Sequence, residues 1–397
     1  MDKYKKHVPD GVEDCLPAEC YIKKKMESAL RQRFILSGYD EIETPSYEYL
    51  DVFQSGVGAY MQESMIKFVD SNGRILVLRP DLTVPIARVA ATKLNDRKPK
   101  RLFYIQNSYA AAEPAIGKAG EFTQAGIELI GDDSCCADAE VIALAVRALQ
   151  KVGLDTFTID IGQVAFFKSL VAGLSLEDAQ LDALRHAVDS KDLHAIETLT
   201  DRLGISGVRK DQIMALPGLF GGDEVFDKAL ALSAEEGCRE AVENLRGVVA
   251  LLEEYGLSHC ISIDFGMLHD IAYYSGIIFR GLTPGIGFPV ISGGRYDDLL
   301  AKFGENAPAT GFALGLKRVM IAMERQGLLS GYYNTDAVVS CAQTCNGTAF
   351  RWAEKQREAG MRVVVVAGLS VSELEKMKAA HQARSAVYFD DDGMREI

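Results

Sequence analysis

The segment Gly120-Glu121-Phe122-Thr123-Gln124-Ala125-Gly126-Ile127-Glu128 constrains this chain more than any other. Side chains of a strand alternate between two faces, so Gln124, Gly126 and Glu128 share one of them. On an arbitrary strand such a polar row is a solvated face, and only its context makes it a recognition surface. The loop before it opens with Ala110-Ala111-Ala112, which offers no charged group. A polar strand face beside a chemically blank loop is therefore the feature to be explained.

With 397 residues, the chain is expected to form two domains or one large domain with insertions. Its 48% hydrophobic and 25% charged residues match an ordinary globular protein. No apolar run has the length of a membrane span, and Met1-Asp2-Lys3-Tyr4-Lys5-Lys6 leads into a polar segment rather than a signal peptide. A cytoplasmic, membrane-free protein is the expectation. The formal charge of −13 weighs against a broad nucleic-acid footprint, which needs clustered Lys and Arg, although one local basic patch remains compatible with it.

Eight cysteines follow no regular framework: Cys135 and Cys136 are neighbours, and Cys341 and Cys345 lack a matching second pair. Reduced, mostly buried thiols are expected rather than a zinc site. The six histidines (7, 186, 194, 259, 269 and 381) form no HExxH pattern. No metal and no cofactor is predicted.

Periodicity predicts an amphipathic helix over Tyr21–Ser37, with Ile22, Met26, Leu30 and Phe34 on one stripe. Strands are predicted at 39–45, 74–81, 100–106 and 121–130, with a helix over 82–94. Asp138 is expected to cap a helix over 139–152. Residues 166–255 read as an almost wholly helical insertion. Strands return at 261–265, 274–280 and 288–292, followed by Gly293-Gly294-Arg295-Tyr296-Asp297 opening a helix. A last strand over 309–315 leads into a helix over 316–326, and residues 335–397 alternate between strand and helix with three strands.

Several of these blocks resemble the class II aminoacyl-tRNA synthetase core, and specifically its histidyl-tRNA synthetase branch. Arg79-Pro80-Asp81-Leu82-Thr83 is similar to the family's RPE/D-x-T segment, and Glu121–Glu128 to the end of motif 2. Tyr273-Tyr274-Ser275-Gly276 and Gly293–Asp297 resemble the two histidine-specific signatures. Gly311–Arg318 resembles motif 3. Five blocks stand in the family's order over roughly residues 8–326. The resemblance implies an α+β fold: a class II aminoacyl-tRNA synthetase-like antiparallel sheet flanked by helices over 1–326, with a helical insertion at about 166–255. A small, truncated C-terminal α/β domain over 335–397 completes it.

The departures carry the functional expectation. Matched backwards from Phe122 and Gln124, the family's motif 2 arginine that grips the α-phosphate of ATP falls on Ala110, and its charged neighbours on Ala112 and Glu113. The arginine of the first histidine signature is replaced by His269. Attack of a carboxylate on a phosphate builds negative charge that bidentate guanidinium groups answer and alanine cannot. Loss of one such donor costs about 10²–10³ in rate. No catalytic residue is therefore predicted. Ala110, His269, Arg295 and Arg318 mark a degenerate former ATP site.

The amino-acid half is retained. By resemblance, Glu128 and Tyr274, with Tyr273 beside it, would read the two imidazole nitrogens of histidine, while Asp81, Thr83 and Gln124 hold its α-ammonium. Plainer readings stand beside these. Tyr273-Tyr274 alone would be one core and one surface aromatic, Arg79 a strand-end ion-pair residue, Gly293-Gly294-Arg295 a turn, and Arg318 a structural cation.

The combination resembles the regulatory-subunit family of ATP phosphoribosyltransferase, paralogues of histidyl-tRNA synthetase. It implies a non-catalytic subunit that the short-form catalytic chain requires for activity, and histidine feedback in the first step of histidine biosynthesis. The implied assembly is a hetero-octamer containing a dimer of this chain, without tRNA. The alternative is an active histidine–tRNA ligase with a reorganised motif 2, or a stand-alone amino-acid ligase without tRNA.

Overall fold

A computed structural model describes residues 5–54, 64–94, 99–111, 120–268, 273–329 and 335–397. The chain divides into two compact units, Met1–Cys15 with Lys23–Leu329, and Leu16–Ile22 with Ser330–Ile397. Among the described residues the larger unit carries strands β1 (Asp40–Glu41), β2 (Tyr47–Tyr49), β3 (Lys67–Val69), β4 (Ile75–Leu78), β5 (Lys100–Tyr109) and β6 (Glu121–Ile130). It continues with β7 (Thr158–Gln163), β8 (Phe220–Gly221), β9 (Ile261–Asp264), β10 (Ile277–Leu282), β11 (Ile291–Arg295) and β12 (Ala309–Gly315).

Nine of these form one sheet in the order β1-β5-β6-β12-β11-β10-β7-β9-β8. From β5 to β7 every pair is antiparallel, as expected; the flanking pairs β1–β5 and β7–β9 are parallel. Strands β2, β4 and β3 form a separate antiparallel sheet. The centre of the large sheet is a long ladder: β5 and β6 pair over ten residues each, and β12 covers the other edge of β6, setting Gly311 opposite Glu128.

The sheet explains two departures from the sequence reading. Gly293-Gly294-Arg295 does not open a helix; it completes β11, and only a single 3-10 turn, Leu300–Phe303, follows. A Cβ on Gly293 would lie 2.7 Å from the Phe312 Cβ, and one on Gly294 would lie 2.6 Å from the Ile277 carbonyl oxygen. These glycines permit close approach within the ladder rather than a turn. Strand β7 was not foreseen; its Thr-Ile-Asp-Ile-Gly-Gln run is short and leads directly into the helix Val164–Val171.

The helix after β6 spans Cys135–Lys151, and Ser134 caps it by accepting from the Ala137 amide at 3.3 Å. Asp138 is therefore not the cap. Ser134 itself is fixed by Asp132, at 3.0 Å from its amide and 2.6 Å from its hydroxyl, so the helix starts earlier and Asp138 turns inward. Helices 164–171, 178–189, 193–202, 208–215, 224–232 and 236–254 then form the helical region, interrupted by the two-residue β8.

The smaller unit contains β13 (Ala337–Cys341), β14 (Val363–Val365), β15 (Ser385–Asp390) and β16 (Gly393–Glu396), ordered β14-β13-β15-β16. Alternation along β13 sends Ala337, Val339 and Cys341 against Ala349 and Ala353, and Val338 against Leu374 and Ala386. The fourth strand exists because the acidic run turns back: the Asp392 amide donates to Asp390 Oδ1 at 3.1 Å and Gly393 takes φ 120°.

Candidate functional site

Strand β6 delivers Gln124 and Glu128 to one side of the sheet, the register partner of Gly126 on β5 brings Tyr104 beside them, and the turn from β4 into the helix Thr83–Lys93 supplies Asp81 and Thr83. Tyr273 and Tyr274 precede β10, and Tyr296 follows β11. These residues, with Leu82, Ser292, Gly311, Phe312 and Ala313, line a cavity of about 70 Å³. All six residues expected to read histidine (Asp81, Thr83, Gln124, Glu128, Tyr273 and Tyr274) thus border one space.

Its chemistry is carboxylic and hydroxylic. Glu128 is 1% exposed and accepts from Thr83 Oγ1 at 2.8 Å and from the Tyr296 hydroxyl. Burial pushes its carboxyl up to about 8, although the two hydroxyl donors pull the other way. Asp81 Oδ1 accepts from the Val84 amide at 2.9 Å, as an anchor of the helix start, while its Oδ2 is buried with no hydrogen-bond partner. Burial raises that carboxyl to about 6. The Tyr104 hydroxyl is likewise buried and unpartnered. Tyr273 packs edge-on against both Tyr274 (5.2 Å between centroids) and Tyr296 (5.8 Å), and burial raises all three phenols.

Two carboxylates and six hydroxyls therefore face a space whose described lining contains no Lys, Arg or His. Such a donor and acceptor set complements a small cation that carries N–H groups; it does not complement phosphate. Two glycines make the space. A side chain on Gly126 would collide with the Phe312 carbonyl and the Tyr104 hydroxyl, and one on Gly311 would collide with the Glu128 carboxylate.

The residues of the former ATP site are arranged quite differently. Ala110 follows β5 with a bare methyl group, and its amide donates to the Gly120 carbonyl at 3.1 Å. Ala112, Glu113 and His269 lie outside the described residues. Arg295 is 6% exposed and engaged on every side: Nε to both Asp138 oxygens at 3.1 and 2.9 Å, Nη1 to Asp297 at 3.1 Å and the Asp132 carbonyl at 3.2 Å, Nη2 to the Ser134 carbonyl at 3.4 Å. Arg318 donates to the Pro289 carbonyl at 2.9 Å and lies 5.2 Å from the Phe288 ring centre. Arg79, read as an ion-pair residue, instead donates to the carbonyls of Asn107 at 2.8 Å, Pro45 at 3.0 Å and Thr44.

Tyr104, Ser292 and Tyr296 were not assigned to the site from sequence. Tyr296 stood inside a quoted signature, and the strand period of β5 would have put Tyr104 on the face of Gln106, the register partner of Gln124. Among the described residues no three His, Cys, Asp or Glu side chains converge to hold a metal, all eight cysteines are free, and no helix is long and apolar enough to cross a membrane.

The histidyl-tRNA synthetase family profile matches residues 11–319. The chain is 46% identical over 366 residues to an ATP phosphoribosyltransferase regulatory subunit from Acetivibrio thermocellus, covering 92% of this chain and 88% of the relative. A protein of the same name from Ruminiclostridium cellulolyticum is 43% identical over 99% of this chain and 94% of its own length. Among solved structures, an ATP phosphoribosyltransferase regulatory subunit/histidyl-tRNA synthetase from Bacillus halodurans C superposes with a TM-score of 0.85 at 33% identity, covering 98% and 99% of the two chains. A histidyl-tRNA synthetase from Nostoc sp. PCC 7120, at 21% identity and a TM-score of 0.83, shares the fold over 100% of this chain and 97% of its own.

Proposed function

Because the chain belongs to the histidyl-tRNA synthetase family and, within it, to the ATP phosphoribosyltransferase regulatory subunits, we propose that its cavity is a histidine sensor with no chemistry of its own. The supporting observation is the lining: two carboxylates and a cluster of phenols, without a described cation. Histidine brings an ammonium and an imidazole, whose N–H groups match acceptors that are otherwise buried and short of partners. Glu128, Tyr273 and Tyr274 take the imidazole; Asp81, Thr83 and Gln124 take the ammonium.

The same cavity is unsuited to adenylation. Making an acyl-phosphate anhydride needs guanidinium groups free to meet developing charge. Ala110 supplies none, and Arg295 is committed to Asp138. The subunit therefore acts on a partner, the short catalytic chain of ATP phosphoribosyltransferase, in a cytoplasmic hetero-octamer in which this chain also pairs with itself. Histidine in the cavity shifts that assembly toward its inhibited state, which requires different histidine affinities in the two states, worth ~1–3 kcal/mol.

The test is inhibition of the reconstituted complex by histidine. Glu128→Ala is expected to assemble normally and lose histidine sensitivity; a fully sensitive variant rejects this cavity as the sensor. Histidine-dependent exchange of pyrophosphate into ATP by the purified chain is expected to be absent, and strong exchange would instead identify a ligase.

A further inference from the structure

Asp264, which ends β9, and Phe265, Gly266 and Leu268 just after it are gripped by the helical insertion. Asp264 is 3% exposed and pairs with Lys191 Nζ at 2.8 Å, just beyond the helix Asp178–Asp189. The Phe265 amide donates to the Leu219 carbonyl at 3.0 Å, and its ring packs against Phe166 (4.9 Å) and Phe226 (6.5 Å). Gly266 has no room for a side chain, since a Cβ would lie 2.9 Å from the Leu216 carbonyl oxygen and 3.1 Å from Pro217 Cα. The Leu268 amide donates to Asp189 Oδ1 at 2.8 Å. Met267 faces the other way: it belongs to the packed cluster that contains Tyr273, Tyr274 and Tyr296 of the cavity.

We infer that this five-residue segment transmits cavity occupancy to the helical insertion, with Asp189 and Lys191 as positioning residues. The inference rests on the reading of the cavity as a histidine site. A ligand that packs against the tyrosines also fixes Met267, and Met267 cannot shift without its neighbours, which the insertion holds by an ion pair, two backbone hydrogen bonds and an aromatic cluster. Interiors packed this closely pass displacement on rather than absorbing it. Filling the cavity therefore orders the insertion.

Lys191 is the informative residue. It ends its helix in the left-handed region at φ 56°, with its amide donating to Val188 and that of Asp192 to Ala187, an arrangement that usually takes glycine. Glycine would suit the backbone better, but only a long cation reaches Asp264 and lies 4.4 Å from the Phe220 ring centre. Lys191→Gly is thus a variant that removes the ion pair with Asp264 while keeping the helix stop.

The experiment is hydrogen exchange of the full chain with and without saturating histidine, alongside calorimetric histidine binding. In the wild type, histidine is expected to slow amide exchange across residues 178–232 by about tenfold. Lys191→Gly is expected to bind histidine while that protection falls below about twofold, and Lys191→Arg restores it. Asp189→Ala provides the second arm, with the same loss. Binding without protection of the insertion in the wild type overturns the inference and spares the sensor reading, as does full protection in Lys191→Gly. Absence of histidine binding in the wild type overturns the sensor reading and this inference with it.

Discussion

The Tyr296 phenol donates to Glu128 Oε2 from 168 positions further along the chain, joining the end of β11 to the centre of β6. Thr83 donates to the other oxygen at 2.8 Å. Both donors favour the ionised carboxylate against the burial that opposes it. Tyr296→Phe removes one of them without changing the volume much. Hydrogen bonds to charged groups contribute roughly 1.5–3 kcal/mol, so histidine affinity is expected to fall by about tenfold or more. Isothermal titration checks this, and an unchanged affinity would mean that Glu128 does not act on the ligand as an anion.

The same carboxylates give a pH signature. Glu128 is raised to about 8 and Asp81 to about 6 in the folded chain, both by burial. Between its ordinary value and its raised one, each group holds a proton when folded and releases it when unfolded. Stability of the unliganded chain is therefore greatest in mild acid and declines as pH rises toward 8. Histidine binding runs the opposite way, because the ligand's ammonium needs the ionised carboxylates, and is expected to strengthen from pH 6 to 8. Thermal midpoints measured across this range should fall for the wild type and stay flatter for Glu128→Gln. A wild-type midpoint that rises over the same interval would contradict the assignment.

Arg295 and Arg318 are both cations of the former ATP site, yet removing them should have very different consequences. Arg295→Ala would leave Asp138, 1% exposed and already raised by burial, without its guanidinium. Breaking a buried pair from one side costs about 3–5 kcal/mol. Arg318→Ala loses one carbonyl hydrogen bond and an aromatic contact at the surface, a cost of about 1 kcal/mol. Urea unfolding of the two variants separates them; equal losses would refute a structural role confined to Arg295.

Much of the site was legible because it is local. Gln124 and Glu128 share a strand face by a period of two, and Asp81 and Thr83 stand in one short run, while their link to histidine came from the family resemblance. What escaped depends on partners distant in sequence. Arg295 reads as a cation free to meet ATP until Asp138, 157 positions away, is seen to hold it. Tyr296 escaped because Gly293-Gly294 looks like a turn, whereas the crowding that demands those glycines comes from Phe312 and Ile277 on neighbouring strands. In the smaller unit three strands are expected from the sequence, and only the hairpin geometry around Gly393 reveals β16 as a fourth.

Gly311 offers the sharpest test of how the cavity is made. It lies opposite Glu128 in the β6–β12 ladder, and a Cβ there would occupy the place of the Glu128 carboxylate. The Ile127 carbonyl oxygen would also lie 2.4 Å from that Cβ. Gly311→Ala must therefore push the Glu128 side chain off Thr83 and Tyr296. Overpacking of this kind costs about 1–3 kcal/mol, which a chain of this size tolerates while remaining folded. The expected result is a folded protein with a lowered thermal midpoint and no measurable histidine binding. Adding Glu128→Gly removes the clash with the carboxylate but not the one with the Ile127 carbonyl, so the midpoint is expected to stay below wild type and binding is not recovered. If Gly311→Ala bound histidine at wild-type affinity, the carboxylate at this position would not be the group that reads the ligand.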